Sequence, residues 1–164
     1  MRLTPLALAA LIATPLWAQE TGPAVISDGA AEEAAEAVAA EAAGDADTLQ
    51  VLTGSEVTLA DFLWLRRPVV VFADTPADPR FAEQMELLAA RPGALIDRDV
   101  VVITDTDPSA NSAVRTQLRP RGFQLVLIGK DGEVKLRKPF PWDVREITRS
   151  IDKWPLRRDE LRRK

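Results

Sequence analysis

The chain has 164 residues, enough for one domain of ordinary size, and contains no cysteine, histidine or tyrosine. That composition excludes disulfides, thiolate catalysis and sulfur-ligated metals within one chain, and with them imidazole ligands and any Ser-His-Asp or Cys-His mechanism. The net charge of −4 is uneven: residues 19–47 carry eight acids and no base, whereas residues 48–164 carry 20 basic against 17 acidic side chains, or −8 against +3.

Met1-Arg2 is a short basic start, and residues 3–16 form an apolar run broken by Pro5 and Pro15. Leu16-Trp17-Ala18 before Gln19 has the small residue that a signal-peptidase site needs at its last position. The run is shorter than the ~20 residues of a membrane span. We therefore expect residues 1–18 to be a signal peptide and the protein to be exported, periplasmic or secreted, with no transmembrane span in the mature chain. An uncleaved N-terminal anchor is the alternative. The absence of cysteine excludes a lipoprotein anchor. Residues 19–47 read as an acidic, low-complexity linker. Residues 30–43 are almost wholly Ala and Glu, good helix formers with no large side chains for an apolar stripe. The segment is either a solvating tail or an acidic docking arm.

A domain is expected over residues 48–160, with a basic tail at 161–164. Leu49-Gln50-Val51-Leu52 fits a short edge strand. Thr58, with Asp61 three residues on, fits a helix start, followed by apolar Phe62, Leu63 and Leu65 up to Pro68. Residues 69–72 (Val-Val-Val-Phe) form a strand covered on both faces. Asp78-Pro79 is a cap followed by proline at the first helical position. Phe81, Met85 and Leu88 continue at helical spacing, and Arg91-Pro92-Gly93 stops the helix. Residues 99–104 are a second buried strand, so residues 68–104 make a βαβ unit. Asp105-Thr106-Asp107-Pro108 is a loop, residues 110–118 a short helix, and residues 123–128 a third strand. Gly129-Lys130-Asp131-Gly132 is a hairpin turn leading into Glu133-Val134-Lys135-Leu136-Arg137. Val144, Ile147, Ile151 and Trp154 form one helical stripe that Pro155 ends.

The order β-α-β-α-β-β-α, with a tight hairpin before the final helix, resembles the thioredoxin-like fold, an α/β mixed sheet. More closely, the domain resembles a family of small exported bacterial proteins described as a domain of unknown function, related to the peroxiredoxin-like domain of sushi-repeat extracellular-matrix proteins. The matching residues are Arg67-Pro68-Val69-Val70-Val71-Phe72-Ala73, Asp78-Pro79-Arg80-Phe81 with Gln84, Gly122-Phe123, Leu127-Ile128-Gly129-Lys130-Asp131-Gly132, Val134-Lys135, Ile151-Asp152 and Arg157-Arg158. The match spans roughly residues 58–160. The resemblance implies a fold and no activity. The reactive sulfurs of thioredoxins would fall near Pro76 and Pro79. Thr75 matches the threonine that precedes the peroxiredoxin sulfur, with Asp78 in the place of that sulfur. Gly122-Phe123 stands where thioredoxins carry a cis-proline.

The candidate loop site is Asp74, Thr75, Asp78, Arg80, Asp105 and Arg121. A cluster of Asp74, Asp78, Asp105 and Asp107 would suit a divalent cation, or acid–base chemistry by paired carboxylates. The simpler reading is that Asp78 caps a helix, Asp105 and Asp107 serve turns, and Arg80 pairs locally. Arg115, Arg119, Arg121, Lys130, Lys135, Arg137 and Lys138 crowd the second half. Arg119, Arg121, Lys138, Arg157 and Arg158 are the candidates for anion binding. Export and the lack of interleaved aromatics argue against nucleic acid. The expected partner is an envelope protein, an anionic glycan or a lipid headgroup, and no cofactor or metal is assigned. Trp64, Trp142 and Trp154 are expected in core or rim packing. The favoured function is a non-catalytic exported binding or adaptor module, redox-inactive because it lacks sulfur. An enzyme or metal binder using the four aspartates is the alternative.

Overall fold

The computed structural model describes residues 48–163. The expected signal peptide, and the linker up to residue 47, lie outside them. Five strands form one mixed sheet in the order β1-β3-β2-β4-β5: β1 (Val51–Thr53), β2 (Arg67–Phe72), β3 (Val100–Asp105), β4 (Gln124–Ile128) and β5 (Val134–Lys138). β1 and β2 each pair parallel to β3. β4 runs antiparallel to both β2 and β5. The helices are α1 (Pro79–Ala89), α2 (Pro92–Ile96), α3 (Ala113–Leu118), α4 (Val144–Asp152) and α5 (Pro155–Arg163). The series β2-α1-β3-α3-β4-β5-α4 is the expected β-α-β-α-β-β-α order.

Strand alternation makes two cores. Val69 and Val71 of β2, with Val100, Val102, Leu125 and Leu127, face Leu88 of α1, Leu95 of α2, and Val144, Ile147 and Ile151 of α4. Val70 and Phe72, with Val101, Ile103, Val126 and Ile128, face Leu59, Phe62, and Val114 and Leu118 of α3. Both faces of β2 are covered, which is why its sequence is continuously apolar.

Several expectations are corrected by the fold. The helix expected from Thr58 is only a 3-10 turn, Leu59–Phe62, although Asp61 does accept a hydrogen bond from the Thr58 N–H at 2.7 Å. Leu63, Trp64 and Leu65 are consequently outside the core. Pro92 stops α1 but opens α2, and Pro155 opens α5 rather than merely ending a helix, because proline fits the first turn where no N–H is needed. Residues 161–163 of the expected basic tail therefore belong to α5. Of the segment 110–118 only Ala113–Leu118 is α-helical; a 3-10 turn, Pro108–Ala110, precedes it, with Asn111 left-handed at φ 46° between them. Trp142 and Trp154 pack against the first core as expected, but Trp64 does not.

Arg67 ties α5 to the sheet. Its side chain is 1% exposed. Nη1 donates to the Arg98 carbonyl at 2.8 Å and Nη2 to Glu160 at 2.7 Å. Burial pushes the Glu160 carboxyl up, but Arg67, with Arg157 and Lys130, outweighs it and holds the group below its ordinary value. A depressed carboxylate contributes stability that is present above its unfolded pKa and lost as pH falls through the folded one. Stability should therefore decline as pH drops below about 4.3, the ordinary glutamate value. Glu160→Gln should flatten that decline in urea melts at stepped pH. An unchanged slope would show that the pairing carries no pH dependence.

Candidate functional site

Register brings four chain segments to one end of the sheet. Phe72 of β2 lies opposite Asp105 of β3 and Gln124 of β4, and Leu125 of β4 opposite Lys138 of β5. The loop after β2, the loop after β3, the approach to β4 and the exit from β5 therefore meet at the C-terminal end of the parallel strands, where α/β sheets usually receive ligands.

The loop after β2 is closed by its own residues. Thr75 Oγ1 accepts from the Ala77 N–H at 3.3 Å, and the Thr75 carbonyl from the Asp78 N–H at 3.2 Å. Asp78 caps α1: Oδ1 accepts from the Arg80 N–H at 2.9 Å. The Arg80 guanidinium returns onto the same carboxylate, Nε at 3.1 Å and Nη2 at 2.7 Å. That fork holds the Asp78 carboxyl below its usual range and raises the guanidinium further. Arg80 also lies 5.4 Å from the centroid of the Phe123 ring. Gly122 has φ +63°, a left-handed turn that favours glycine, and a Cβ there would stand 3.7 Å from Asp74 Oδ2. The Gly122-Phe123 segment thus lies against the Asp74–Arg80 loop.

Behind this loop sits a buried clasp. Arg115 on α3 donates to Asp105 Oδ1 from Nε at 3.0 Å and Nη2 at 2.8 Å, and Nη2 also reaches the Ala73 carbonyl at 2.8 Å. Ser112, the α3 cap, donates its hydroxyl to Asp105 Oδ2. The guanidinium is 5.4 Å from the Phe72 ring centroid and 3.9 Å from Asp74. Arg115, grouped by sequence with the surface cations, is in fact the residue that fixes where β2 ends.

Gln84 of α1 is fully buried. It brackets one residue: Nε2 donates to the Trp142 carbonyl at 3.1 Å and Oε1 accepts from the Trp142 N–H at 2.8 Å. The segment so held carries Lys138, whose ammonium lies 4.7 Å from the Trp142 ring and 5.6 Å from the half-exposed Phe140 ring.

The structure brings Asp74, Thr75, Asp78, Arg80 and the approach carrying Arg121 together, and separates the four aspartates by function. Asp78 belongs to Arg80, and Asp105 is buried under Arg115 and Ser112. Asp107 caps its 3-10 turn by accepting from the Ser109 N–H and hydroxyl at 2.9 and 2.6 Å, bonds that lower its pKa, the hydroxyl first. Among the described residues, no group of three or more acidic side chains is placed to hold a metal ion. Arg119 and Arg121 are exposed, and neither has an ion-pair partner among the described residues. Arg157 and Arg158 are at the opposite end of the sheet. Arg157 is buried, donating to the Asp97 carbonyl at 3.0 Å and to Glu160 at 3.2 Å, so it is not open to a ligand; Arg158 is exposed on α5.

A family model described as "Domain of unknown function (DUF4174)" matches residues 58–160, which is more than half of the chain. The chain belongs to the DUF4174 family. No curated protein matches the sequence significantly. Among solved structures, the DUF4174 chain is similar to a reduced 2-Cys peroxiredoxin from Plasmodium vivax at 14% identity and TM-score 0.50, covering 63% of this chain and 84% of that one. It is also similar to chloroplastic thioredoxin z (20% identity, TM-score 0.43, 65% and 93% covered) and to desulfothioredoxin from Desulfovibrio vulgaris Hildenborough (20%, 0.42, 65% and 99%). At such identities the likeness concerns the fold alone. The DUF4174 domain has the thioredoxin-like architecture, and its chain has no sulfur at Pro76, Asp78 or Pro79. Among the described residues, no helix is long and apolar enough to cross a membrane.

Proposed function

We propose that this DUF4174 domain is an exported, non-catalytic binding module on a redox-inactive thioredoxin-like scaffold, and that it receives an anionic group at the C-terminal end of the sheet. The observation that carries this reading is the imbalance of partners there. Asp78, Asp105 and Asp107 are each engaged by a neighbour, whereas Arg119 and Arg121 are exposed without an ion-pair partner among the described residues. Lys138 sits on aromatic rings rather than on a carboxylate. A carboxylate, sulfate or phosphate entering this end would meet cations already positioned, on a floor that Gln84 keeps in place. Such a group is carried by an acidic envelope protein, an anionic glycan or a lipid headgroup. The enzyme alternative needs a free carboxylate base, and three of the four candidate aspartates are committed to structure. Export rests on residues 1–18 alone.

The test is retention on a sulfated polysaccharide matrix. Reversing Arg119, Arg121 and Lys138 to Glu should weaken retention far more than reversing Arg91, Arg149 and Lys153, a charge-matched control. The difference should fade toward 1 M salt, where screening acts within about 3 Å. Equal losses in the two triple variants would contradict a defined site.

A further inference from the structure

We propose that the Leu63-Trp64-Leu65 turn, with the C-terminal half of α5, seats the domain on an anionic lipid bilayer surface. The three residues are 43%, 63% and 60% exposed and consecutive. Trp64 has φ 64°, a left-handed conformation that a bulky side chain adopts only when its surroundings impose it. They do so here. The Trp64 N–H donates to the Lys130 carbonyl in the β4–β5 hairpin at 2.7 Å, and the Leu65 and Arg66 N–H groups both donate to the Phe62 carbonyl at 3.0 Å. Leu63 lies against Gly132, where a Cβ would meet its Cδ1 at 3.1 Å. The fold thus fixes the backbone of a strongly apolar turn without burying its side chains, and core packing does not account for it.

The surroundings say what covers it. The Lys130 ammonium lies 3.5 Å from Glu160, which brings α5 beside the turn, and the next residue, Leu161, is half-exposed. Most acids at this end are paired: Asp99 and Glu160 with Arg67 and Lys130, Asp131 and Glu133 with Lys135, Asp159 with Arg162; Asp61, just before the turn, accepts from the Thr58 N–H, and Asp97 has no ion-pair partner among the described residues. Arg66, Arg158 and Arg163 have no ion-pair partner among the described residues. What remains available is a tryptophan between leucines, with Arg66 next in sequence and the guanidinium groups of Arg158 and Arg163 on α5. Trp settles at the membrane–water interface, and basic side chains around an apolar patch add attraction to anionic headgroups. This surface is at the opposite end of the sheet from Arg119 and Lys138, so seating the domain here leaves the anion site facing away from the bilayer. The two proposals stand or fall separately.

The full chain should be mixed with vesicles of phosphatidylglycerol and phosphatidylcholine carrying brominated acyl chains, which quench only tryptophans that reach them. Quenching should be measurably smaller in Trp64→Phe, which preserves the apolar turn and leaves Trp17 to contribute equally in both proteins. That difference assigns the signal to this position whatever residues 1–18 contribute. Trp64→Ser with Leu65→Ser should lower partitioning by about tenfold or more. Arg66→Glu with Arg158→Glu and Arg163→Glu should weaken it in a salt-dependent way. Equal quenching in wild type and Trp64→Phe would overturn the proposal. So would a Trp64-dependent, concentration-dependent dimer that ignores vesicles, which would assign the turn to a protein interface.

Discussion

Arg115→Ala should cost about 3–5 kcal/mol of folding stability, the range found when one partner of a buried charge pair is removed. The size follows from what is left behind. The Asp105 side chain is 4% exposed, and Oδ1 takes both of its side-chain hydrogen bonds from Arg115. Without the guanidinium, the buried carboxylate keeps only the Ser112 hydroxyl as a side-chain partner and is left without a compensating charge. The Ala73 carbonyl loses a donor as well, so the end of β2 and the loop after it should loosen together. Asp105→Asn combined with Arg115→Met should cost clearly less than the two single changes summed, because no charge is then stranded. Urea melts of wild type, Arg115→Ala, Asp105→Asn, Arg115→Met and the double variant decide this. A loss below about 1 kcal/mol for Arg115→Ala, in the range of an exposed ion pair, would mean that the clasp is solvated.

Phe72→Ala should be of similar size, about 3–5 kcal/mol, through lost burial and the cavity that remains. Phe72 is fully buried at the end of β2 among Val70, Val101, Ile103 and Val126. Its ring is also the surface on which Arg115 lies, so the two substitutions should couple rather than add. A cost below about 0.5 kcal/mol, typical of exposed positions, would contradict the placement of β2 at the centre of the sheet.

The parts of the fold legible in the sequence are those decided by neighbours in the chain. The β-branched run at 69–72 makes a doubly covered strand, Asp78-Pro79 makes a cap, and Gly129-Lys130-Asp131-Gly132 makes a hairpin turn, each within a few residues. What escaped depends on pairs far apart in sequence. Arg115 meets the Ala73 carbonyl across 42 residues, Gln84 brackets Trp142 across 58, and Arg67 reaches Glu160 across 93. Periodicity carries no trace of these, because buried and solvated arginines look alike until the sheet order is known. Pro155 is ambiguous for a different reason: proline excludes helix interiors but favours the first turn, and only the helix after it separates the two. The loop at the end of β2 follows from the apolar strand before it. Its character was not visible, since four aspartates close in sequence can equally form a metal cluster or four separate caps and pairs. Arg157 illustrates the same limit, a basic side chain in an Arg-rich stretch that turns out to be buried.

The most direct test of the central claim, that this thioredoxin-like scaffold binds rather than turns over, is a turnover assay on the purified chain beside its Asp78→Ala variant. The substrates should be a peroxide with a thiol donor and a protein disulfide. Thiol–disulfide exchange needs a thiolate, and this chain supplies none. The account predicts no activity above background in either protein, with Asp78→Ala lowering only the melting temperature, through loss of the α1 cap and of the Arg80 fork. Turnover by the wild type that vanishes in Asp78→Ala while the fold stays intact would contradict it.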